Sequence, residues 1–309
     1  MRRFWFSTFA LAAIAVATAS AIVGATPASL RLVHADAAPL AWWSVVEAPA
    51  HWREPGVLAR AVQWKPGRAG VEWATLPLQG AGEARAITLV VARIDPRQVQ
   101  LALTWGVDPA SARPAWSLAD APNDAVLAPN AGMFADALPW GWVVSRGAEL
   151  LPPGHGPLSS AVVVGDDGTV ELIAGDAIAE RRGRGTVREA FQTYPTLLTG
   201  NGNVPEALRS GTKIDRTHRD ARLAIGLDRD GRVLIALTRL TTDLPLLDRV
   251  PVGLTVPEMA AVMGSLGAAQ AALLDGGISA QLRVVGASGE LHDWNGTRRV
   301  PLALVARPR

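Results

Sequence analysis

The stretch Leu273-Leu274-Asp275-Gly276-Gly277-Ile278-Ser279-Ala280-Gln281-Leu282 decides how we interpret this chain. An apolar run, residues 271–274, ends in a single carboxylate, and a second apolar alternation begins at Leu282. This pattern predicts a strand, a tight turn and a second strand, with Asp275 at the end of the first strand. The two glycines can adopt positive φ and let a ligand approach backbone N–H groups. Asp-Gly is also the commonest short-range hairpin signal, so a plain hairpin turn is the alternative.

The clearest helix of the sequence precedes this stretch. Thr255-Val256-Pro257-Glu258 has the pattern of a capping box, in which a hydroxyl N-cap is followed three residues later by a glutamate. Apolar residues recur at helical spacing from Met259 to Leu266, and Gly267 is expected to end the helix.

Strand patterns dominate the chain from residue 86 onwards. Two strands, 222–228 and 232–238, are expected to form a hairpin across Asp230-Gly231. Further strands are predicted at residues 87–94, 99–105, 140–145, 161–164, 170–173 and 300–306, and a helix at residues 187–192. Strands outnumber helices and many connections are hairpin-like. The predicted fold class is therefore α+β, with largely antiparallel or mixed β-sheets, a few helices and a single catalytic domain.

The N-terminal part divides into a targeting segment and a lead-in segment. Residues 1–27 begin with Met1-Arg2-Arg3 and continue with an apolar run, as in a cleaved signal peptide, and the run is also long enough for a membrane anchor. We therefore expect export to the periplasm or the extracellular space, with contact to a membrane only through an uncleaved N-terminal segment. Residues 28–85, rich in Trp and Pro, are expected to supply one or two short strands that pack against a domain formed by residues 86–309.

Composition excludes several functional classes. The 309 residues are 49% apolar and 19% charged, so the chain can fill a core. Net charge is only +2 and lysine occurs only twice, which gives no reason to expect a nucleic-acid partner. The absence of cysteine excludes disulfides, thiolate metal sites and a thiol nucleophile, and suits an exported protein of a bacterial envelope.

Motifs for cofactors and for common hydrolases are missing too. The five histidines are dispersed, without H-x-x-x-H or H-x-H spacing, and no G-x-S-x-G, P-loop or G-x-G-x-x-G after a strand occurs. We predict no cofactor and no metal site, although a divalent cation remains compatible with the sequence.

Polar residues at strand ends are the remaining candidates for chemistry: Asn130, Arg222, Asp275, Ser279 and Gln281. Arginine matches phosphate oxygens with a bidentate fork, and a carboxylate can stabilise or attack an oxocarbenium-like anomeric carbon. The set therefore suits a sugar that carries an anionic substituent. A structural ion pair at a strand start is the alternative interpretation of Arg222.

Four segments, in order along the chain, resemble the phosphodiester glycosidase family. They are Asn130-Ala131-Gly132-Met133-Phe134, Tyr194-Pro195-Thr196-Leu197-Leu198-Thr199-Gly200-Asn201-Gly202, Arg222-Leu223-Ala224-Ile225-Gly226, and the helix from Gly253-Leu254-Thr255 followed by Leu274-Asp275-Gly276-Gly277-Ile278-Ser279. The resemblance spans about residues 86–306. Two departures from the family pattern are Ile278, where a third glycine is usual, and Asp220-Ala221, where His-Pro is frequent.

The resemblance implies hydrolysis of a glycosidic bond to a phosphodiester, with a phosphorylated carbohydrate as the partner. We expect Asp275, Arg222 and Asn130 to be catalytic, and Gly276, Gly277, Ser279, Gln281 and Asp243 to bind substrate. In this hypothesis Arg222 and the two glycine amides hold the phosphate, and Asp275 stabilises charge at the anomeric carbon or positions water. Asn130, Ser279 and Gln281 then orient sugar hydroxyls.

Two questions stay open at this point. A glycosidase usually needs a second carboxylate within about 5–9.5 Å of the first, and the sequence does not choose among Asp243, Asp228 and Asp136, of which Asp228 is expected to serve a turn. The same pocket would also suit a non-catalytic envelope protein that binds glycans or polymer phosphates. A third interpretation is a structural partner in polysaccharide or cell-wall assembly, but the sequence contains no specific interaction motif that supports it.

Overall fold

The computed structural model describes residues 29–34, 37–241 and 250–309. The predicted targeting segment, residues 1–27, and the candidate residue Asp243 lie outside these ranges. Four helices are present in the described part of the chain: α1 Val57–Ala61, α2 Ile178–Arg182, α3 Glu206–Arg209 and α4 Val256–Leu266. The strands are β1 Ser29–Leu32, β2 Leu40–Ser44, β3 Lys65–Pro66, β4 Val71–Gln79, β5 Ile87–Ile94, β6 Val99–Trp105, β7 Leu127–Pro129, β8 Phe134–Ala135, β9 Leu138–Pro139, β10 Val143–Ser145, β11 Ala148–Leu151, β12 Ser160–Gly165, β13 Val170–Ala174, β14 Val187–Thr193, β15 Thr196–Leu198, β16 Leu223–Asp228, β17 Val233–Leu240, β18 Ala268–Leu274, β19 Leu282–Val285, β20 Leu291–Trp294 and β21 Leu302–Pro308.

The strands form three main sheets and one small ribbon. The largest sheet has nine strands in the order β15-β18-β16-β17-β5-β4-β1-β2, with β3 beside β4. Two five-stranded sheets have the orders β11-β10-β14-β12-β13 and β20-β19-β7-β21-β6, and β8 pairs with β9. Neighbouring strands run antiparallel throughout the described residues, and the predicted α+β class is confirmed.

The large sheet is buried on both faces, which explains why apolar residues predominate along its central strands. On β5, Val90, Ala92 and Ile94 enter a core shared with the two five-stranded sheets. The alternate residues Leu89 and Val91 enter a second core that includes α4 and α1. Because successive side chains of a strand point to opposite faces, a sheet between two cores needs an apolar residue at nearly every position.

Helix α4 has the ends that the sequence predicts. The Thr255 hydroxyl accepts a hydrogen bond from the Glu258 N–H at 3.3 Å, and the Glu258 carboxylate accepts one from the Thr255 N–H at 2.8 Å. Gly267 ends the helix with φ 99°, a left-handed conformation that glycine adopts without steric cost. The following strand, β18, therefore starts directly after Gly267, at Ala268.

Two expectations from the sequence are wrong. Residues 187–192, predicted as a helix, belong to β14, which lies between β10 and β12 with hydrogen-bonded neighbours on both sides. Pairing on both sides overrides a weak local helical pattern. The lead-in segment supplies four strands rather than one or two, and nine-residue β4 pairs with β5 at eight positions.

No helix within these ranges is both long enough and apolar enough to cross a bilayer.

Candidate active site

Asp275 occupies the end of β18, as its position after the apolar run predicts. Its N–H donates to the Gly132 carbonyl at 2.8 Å, and its own carbonyl accepts from the Asn130 side-chain amide at 2.9 Å. The next strand, β19, joins a different sheet from β18, so the plain hairpin interpretation is wrong. The turn instead carries the chain from the large sheet to a five-stranded one and leaves the Asp275 carboxyl partly exposed at their junction.

Asn130 positions this turn and has no exposed surface. The side chain is fully buried, and its Oδ1 accepts from the Gln281 N–H at 2.9 Å while its Nδ2 holds the Asp275 carbonyl. One amide thus binds the backbone on both sides of the glycine turn. The expected role of Asn130 in orienting sugar hydroxyls is corrected for this reason.

Gln281 is also buried away from any ligand. Its Oε1 accepts from the Leu118 N–H at 3.2 Å, and 1% of the residue is exposed. Ser279 is buried as well, but its hydroxyl acts on Asp275, whose pKa it lowers against the effect of burial. The structure therefore corrects the substrate-binding role of Gln281 and makes Ser279 a partner of Asp275.

The two glycines serve different purposes. Gly277 has φ 58°, and its N–H donates to the Ala221 carbonyl at 2.7 Å, so it cannot hold a phosphate as expected. The Gly276 N–H makes no hydrogen bond to a described residue and can still donate to a ligand. Because Gly277 and not Ile278 adopts the left-handed conformation, a β-branched residue fits at the third position, where its side chain is 46% exposed.

Arg222 lies beside Asp275 at the adjoining strand end, since Leu223 of β16 pairs with Leu274 of β18. Its Nε donates to the Leu254 carbonyl at 2.9 Å and its Nη2 to the His218 carbonyl at 2.8 Å. Burial lowers the pKa of Arg222, and the charge of Asp220 opposes this effect. No hydrogen bond joins Arg222 to the Asp275 carboxylate. The two strand ends adjoin, and a third residue lies between the segments that carry them.

That third residue is Asp220, which we did not select from the sequence. A Cβ placed on Gly277 would lie 2.9 Å from Asp220 Oδ2, so the carboxylate lies directly against this glycine. His218 Nε2 is 3.9 Å from the same oxygen, and the His218 side chain is 63% exposed. Asp220 precedes Arg222 by two residues, and in an extended segment such spacing puts two side chains on one side. That spacing was the signal available in the sequence.

Both carboxyl groups are shifted towards their neutral forms. Burial raises the pKa of Asp275 to about 6, and the negative charge of Asp220 acts in the same direction against the Ser279 hydroxyl and the Arg298 charge. Burial also raises the pKa of Asp220, opposed mainly by the charge of Arg222. Neighbouring carboxylates of this kind are typical of sites that handle protons.

The other candidate acids differ in place and role. Asp228 accepts from the N–H groups of Asp230 and Arg232 at 2.9 Å each, which is the structural turn role that we expected. Asp136 lies between β8 and β9, and its carbonyl accepts from Arg298 Nη2 at 3.0 Å. The described residues contain no group of three or more His, Asp or Glu side chains placed to hold a metal ion.

Comparisons with known proteins show the family and the fold of this chain. A family model described as phosphodiester glycosidase matches residues 123–307. No protein with a curated description matches the chain.

Three solved structures share the fold. The catalytic domain of zebrafish N-acetylglucosamine-1-phosphodiester α-N-acetylglucosaminidase, auto-inhibited by its pro-peptide, aligns with TM-score 0.56 and 15% identity over 80% of this chain and 88% of that one. A hypothetical protein from Synechocystis aligns with TM-score 0.54 and 18% identity over 78% of this chain, which covers 62% of the Synechocystis chain, less than two thirds of its length. A Burkholderia pseudomallei protein described as exported aligns with TM-score 0.50 and 16% identity over 75% and 77%.

Proposed function

Because the chain belongs to the phosphodiester glycosidase family, we propose that it hydrolyses the bond between a sugar's anomeric carbon and a phosphodiester. One observation supports this proposal most strongly. The Asp275 carboxyl is partly buried at the end of β18, with the Arg298 charge near it and Arg222 at the adjoining strand end. A negative group for the sugar thus has the positive charge of Arg298 near it, and a second positive group for the phosphate comes from the neighbouring strand end.

Hydrolysis of a sugar-1-phosphodiester depends more on charged groups placed around the anomeric carbon and the phosphate than on proton donation to the leaving group. Water adds to the anomeric carbon, the bond from that carbon to the phosphate oxygen breaks, and a phosphomonoester leaves with the electron pair. A phosphate oxygen is a weak base, so its departure needs little help from an acid. Ionised Asp275 stabilises the positive charge that develops on the sugar ring.

The phosphate is assigned to donors that have hydrogens to spare. Arg222 Nη1 makes no hydrogen bond to a described residue, whereas Nε and Nη2 are fixed by carbonyls. The guanidinium is thereby oriented with one nitrogen available. The Gly276 N–H is a second donor, and exposed Arg298 is a third. Charge-assisted hydrogen bonds of this kind are the strong ones for a phosphate.

The name of the zebrafish enzyme suggests the sugar to try first, N-acetylglucosamine linked through carbon 1 to a phosphodiester. We further propose that the protein is exported and acts on phosphorylated glycans of the periplasm or the extracellular space. The apolar start of the sequence and the exported description of the Burkholderia protein support this location.

A panel of sugar-1-phosphodiesters tests the proposal. Release of free sugar is followed by a reducing-sugar assay, and conversion of diester to monoester by phosphorus NMR. We expect Asp275→Asn to lower turnover by at least about a hundredfold, because the charge at the anomeric carbon loses its stabilising partner. Asp124→Asn is the control, since Asp124 is an exposed carboxylate paired with Arg307.

The outcomes separate the candidate functions. Wild-type turnover in Asp275→Asn would remove Asp275 from the chemistry. Saturable binding of a diester without product by the wild-type protein would favour the non-catalytic glycan-binding alternative.

A further inference from the structure

The site described above has one carboxylate for the sugar but needs a group that receives the proton of the attacking water. Hydrolysis leaves that proton to be taken up, and the phosphate leaves without needing it. Besides Asp275 itself, Asp220 has its carboxylate against the glycine turn, with Oδ2 2.9 Å from a Cβ placed on Gly277. We infer that Asp220 is the base that takes this proton, in addition to the role of Asp275 in our proposed function, on which this inference rests.

The placement of Asp220 fits a base better than a structural ion pair. Its nearest basic partner within the described ranges, His218, has Nε2 3.9 Å away, too far for a hydrogen bond, and Arg222 is held by the carbonyls of Leu254 and His218. A carboxylate without a close hydrogen-bonding cation keeps its lone pairs available. Its side chain is 24% exposed, so water can reach it.

The absence of a Cβ at Gly277 allows this contact. The left-handed conformation of Gly277 and its hydrogen bond to the Ala221 carbonyl bring the segment that carries Asp220 against the turn that carries Asp275. The charge of ionised Asp220 therefore acts on Asp275 and raises its pKa, and like-charge neighbours of this kind can separate two acids into two roles.

The proton has a path out of the site. When water forms its bond to the anomeric carbon, one water proton moves to an Asp220 oxygen, and the other remains on the new sugar hydroxyl. Asp220 then passes its proton to His218 Nε2, directly after a small side-chain movement or through one water, and His218 delivers it to solvent through its exposed ring. The carboxylate is ready for the next cycle, and the atoms and charges balance.

The charged groups around Asp220 come from two elements and one loop. His218 and Arg222 face it from its own segment, and Asp275 faces it from the end of β18. Arg298, from the loop after β20, acts on Asp275 from the other side. Protonation of Asp220 at low pH should therefore stop water activation while substrate still binds through the arginines.

The test compares Asp220→Asn with Asp124→Asn and Asp275→Asn, using whichever diester the wild-type protein hydrolyses. Asparagine keeps the shape of the side chain but cannot take a proton. We expect Asp220→Asn to lower kcat by about 10²–10⁴-fold with little increase in KM. We also expect formate to restore part of the turnover of Asp220→Ala, since a small carboxylate can occupy the vacant space. His218→Gln should slow turnover less than Asp220→Asn.

A second measurement does not depend on turnover. Carbon NMR of the aspartate carboxyls should show the Asp275 pKa below about 6 in Asp220→Asn, because a like charge is gone. A structural role for Asp220 would change the melting temperature without rescue by formate.

Failure of this inference and failure of the proposed function look different. A kcat of Asp220→Asn within about threefold of wild type, with Asp275→Asn inactive, would overturn the role of Asp220 and leave the proposed function intact. A wild-type protein that hydrolyses no diester of the panel overturns both.

Discussion

At the scale of single residues, the buried carboxyl of Asp275 lowers the stability of the folded protein at neutral pH. Burial raises its pKa from 3.8 to about 6 in the folded protein. Below about pH 3 the group is neutral in both folded and unfolded chains and costs nothing. As the pH rises from about 4 to about 6, the unfolded chain ionises first, so the folded state loses stability, and above pH 6 the loss is complete.

Asp275→Asn should therefore be more stable than the wild-type protein at neutral pH. We expect its free energy of unfolding to exceed the wild-type value by about 2–3 kcal/mol at pH 8 and to match it at about pH 3. Urea unfolding at the two pH values measures this difference. Glu189, a second buried carboxyl whose pKa burial raises, is present in both proteins and serves as an internal reference. An equal difference at both pH values would contradict the predicted ionisation of Asp275.

Gly277 gives a second prediction at this scale. Gly277→Ala places a methyl group 2.9 Å from Asp220 Oδ2 at a φ of 58°, which displaces the carboxylate and strains the backbone. We expect a loss of turnover of at least about tenfold and a loss of stability of about 1–3 kcal/mol. Gly231→Ala is the matched control, because Gly231 has φ 78° but open space around its Cβ position. Equal turnover in the two variants would contradict the importance of this contact.

The sequence could predict the position of Asp275 but not the partners of the polar side chains around it. A carboxylate after an apolar run indicates a strand end. A polar amide such as Asn130 or Gln281 can bind either substrate or backbone. Which of the two it binds depends on segments more than a hundred residues away in the chain. The two-residue spacing of Asp220 and Arg222 indicates a shared side of an extended segment, but the sequence does not show that this side faces the turn at Gly277.

At the scale of elements, helix α4 depends on Glu258. This residue is 1% exposed and serves two partners, the Thr255 N–H at 2.8 Å and Arg219 at 2.6 and 2.8 Å. Removing one partner of a buried ion pair leaves the other charge without compensation, which is costly.

Glu258→Ala should lower the free energy of unfolding by about 3–5 kcal/mol. Thr255→Ala, which loses only the cap, should cost about 1 kcal/mol. Chemical denaturation of both variants gives the two values. Similar losses in the two would show that the ion pair with Arg219 contributes little beyond the cap.

Elements with two agreeing local signals were predictable. The cap and the glycine at the two ends of α4, and the Asp230-Gly231 turn between β16 and β17, each fix a boundary by backbone geometry alone. Strand β14 carried no such boundary, and its identity follows from its neighbours β10 and β12, which no local pattern reveals.

At the scale of the whole molecule, the lead-in segment is part of the large sheet. Strand β4 covers one edge of β5 at eight positions, and β1 and β2 extend the sheet beyond it. This segment is rich in Trp, Pro and Ala and has little strand periodicity. The sequence therefore did not show how much of the sheet it supplies. An uncovered β5 edge would expose unpaired backbone groups and apolar side chains.

A chain that starts at residue 80 should therefore fail to give a soluble monomer. A chain that starts at Ser29 is the control, because it keeps all four N-terminal strands. Size-exclusion chromatography and far-UV circular dichroism measure the outcome. A shorter chain that elutes as a folded monomer would show that β5 tolerates a free edge.

The pairing of β6 with β21 has a consequence during synthesis. These strands match at seven positions, yet Val99 and Pro308 are separated by about 200 residues of chain. At about 5–20 residues per second, a ribosome supplies the partner of β6 roughly 10–40 s after β6 itself has emerged. During that interval the backbone and the apolar side chains of β6 are unpaired. A chaperone that binds this strand should therefore raise the yield of native protein.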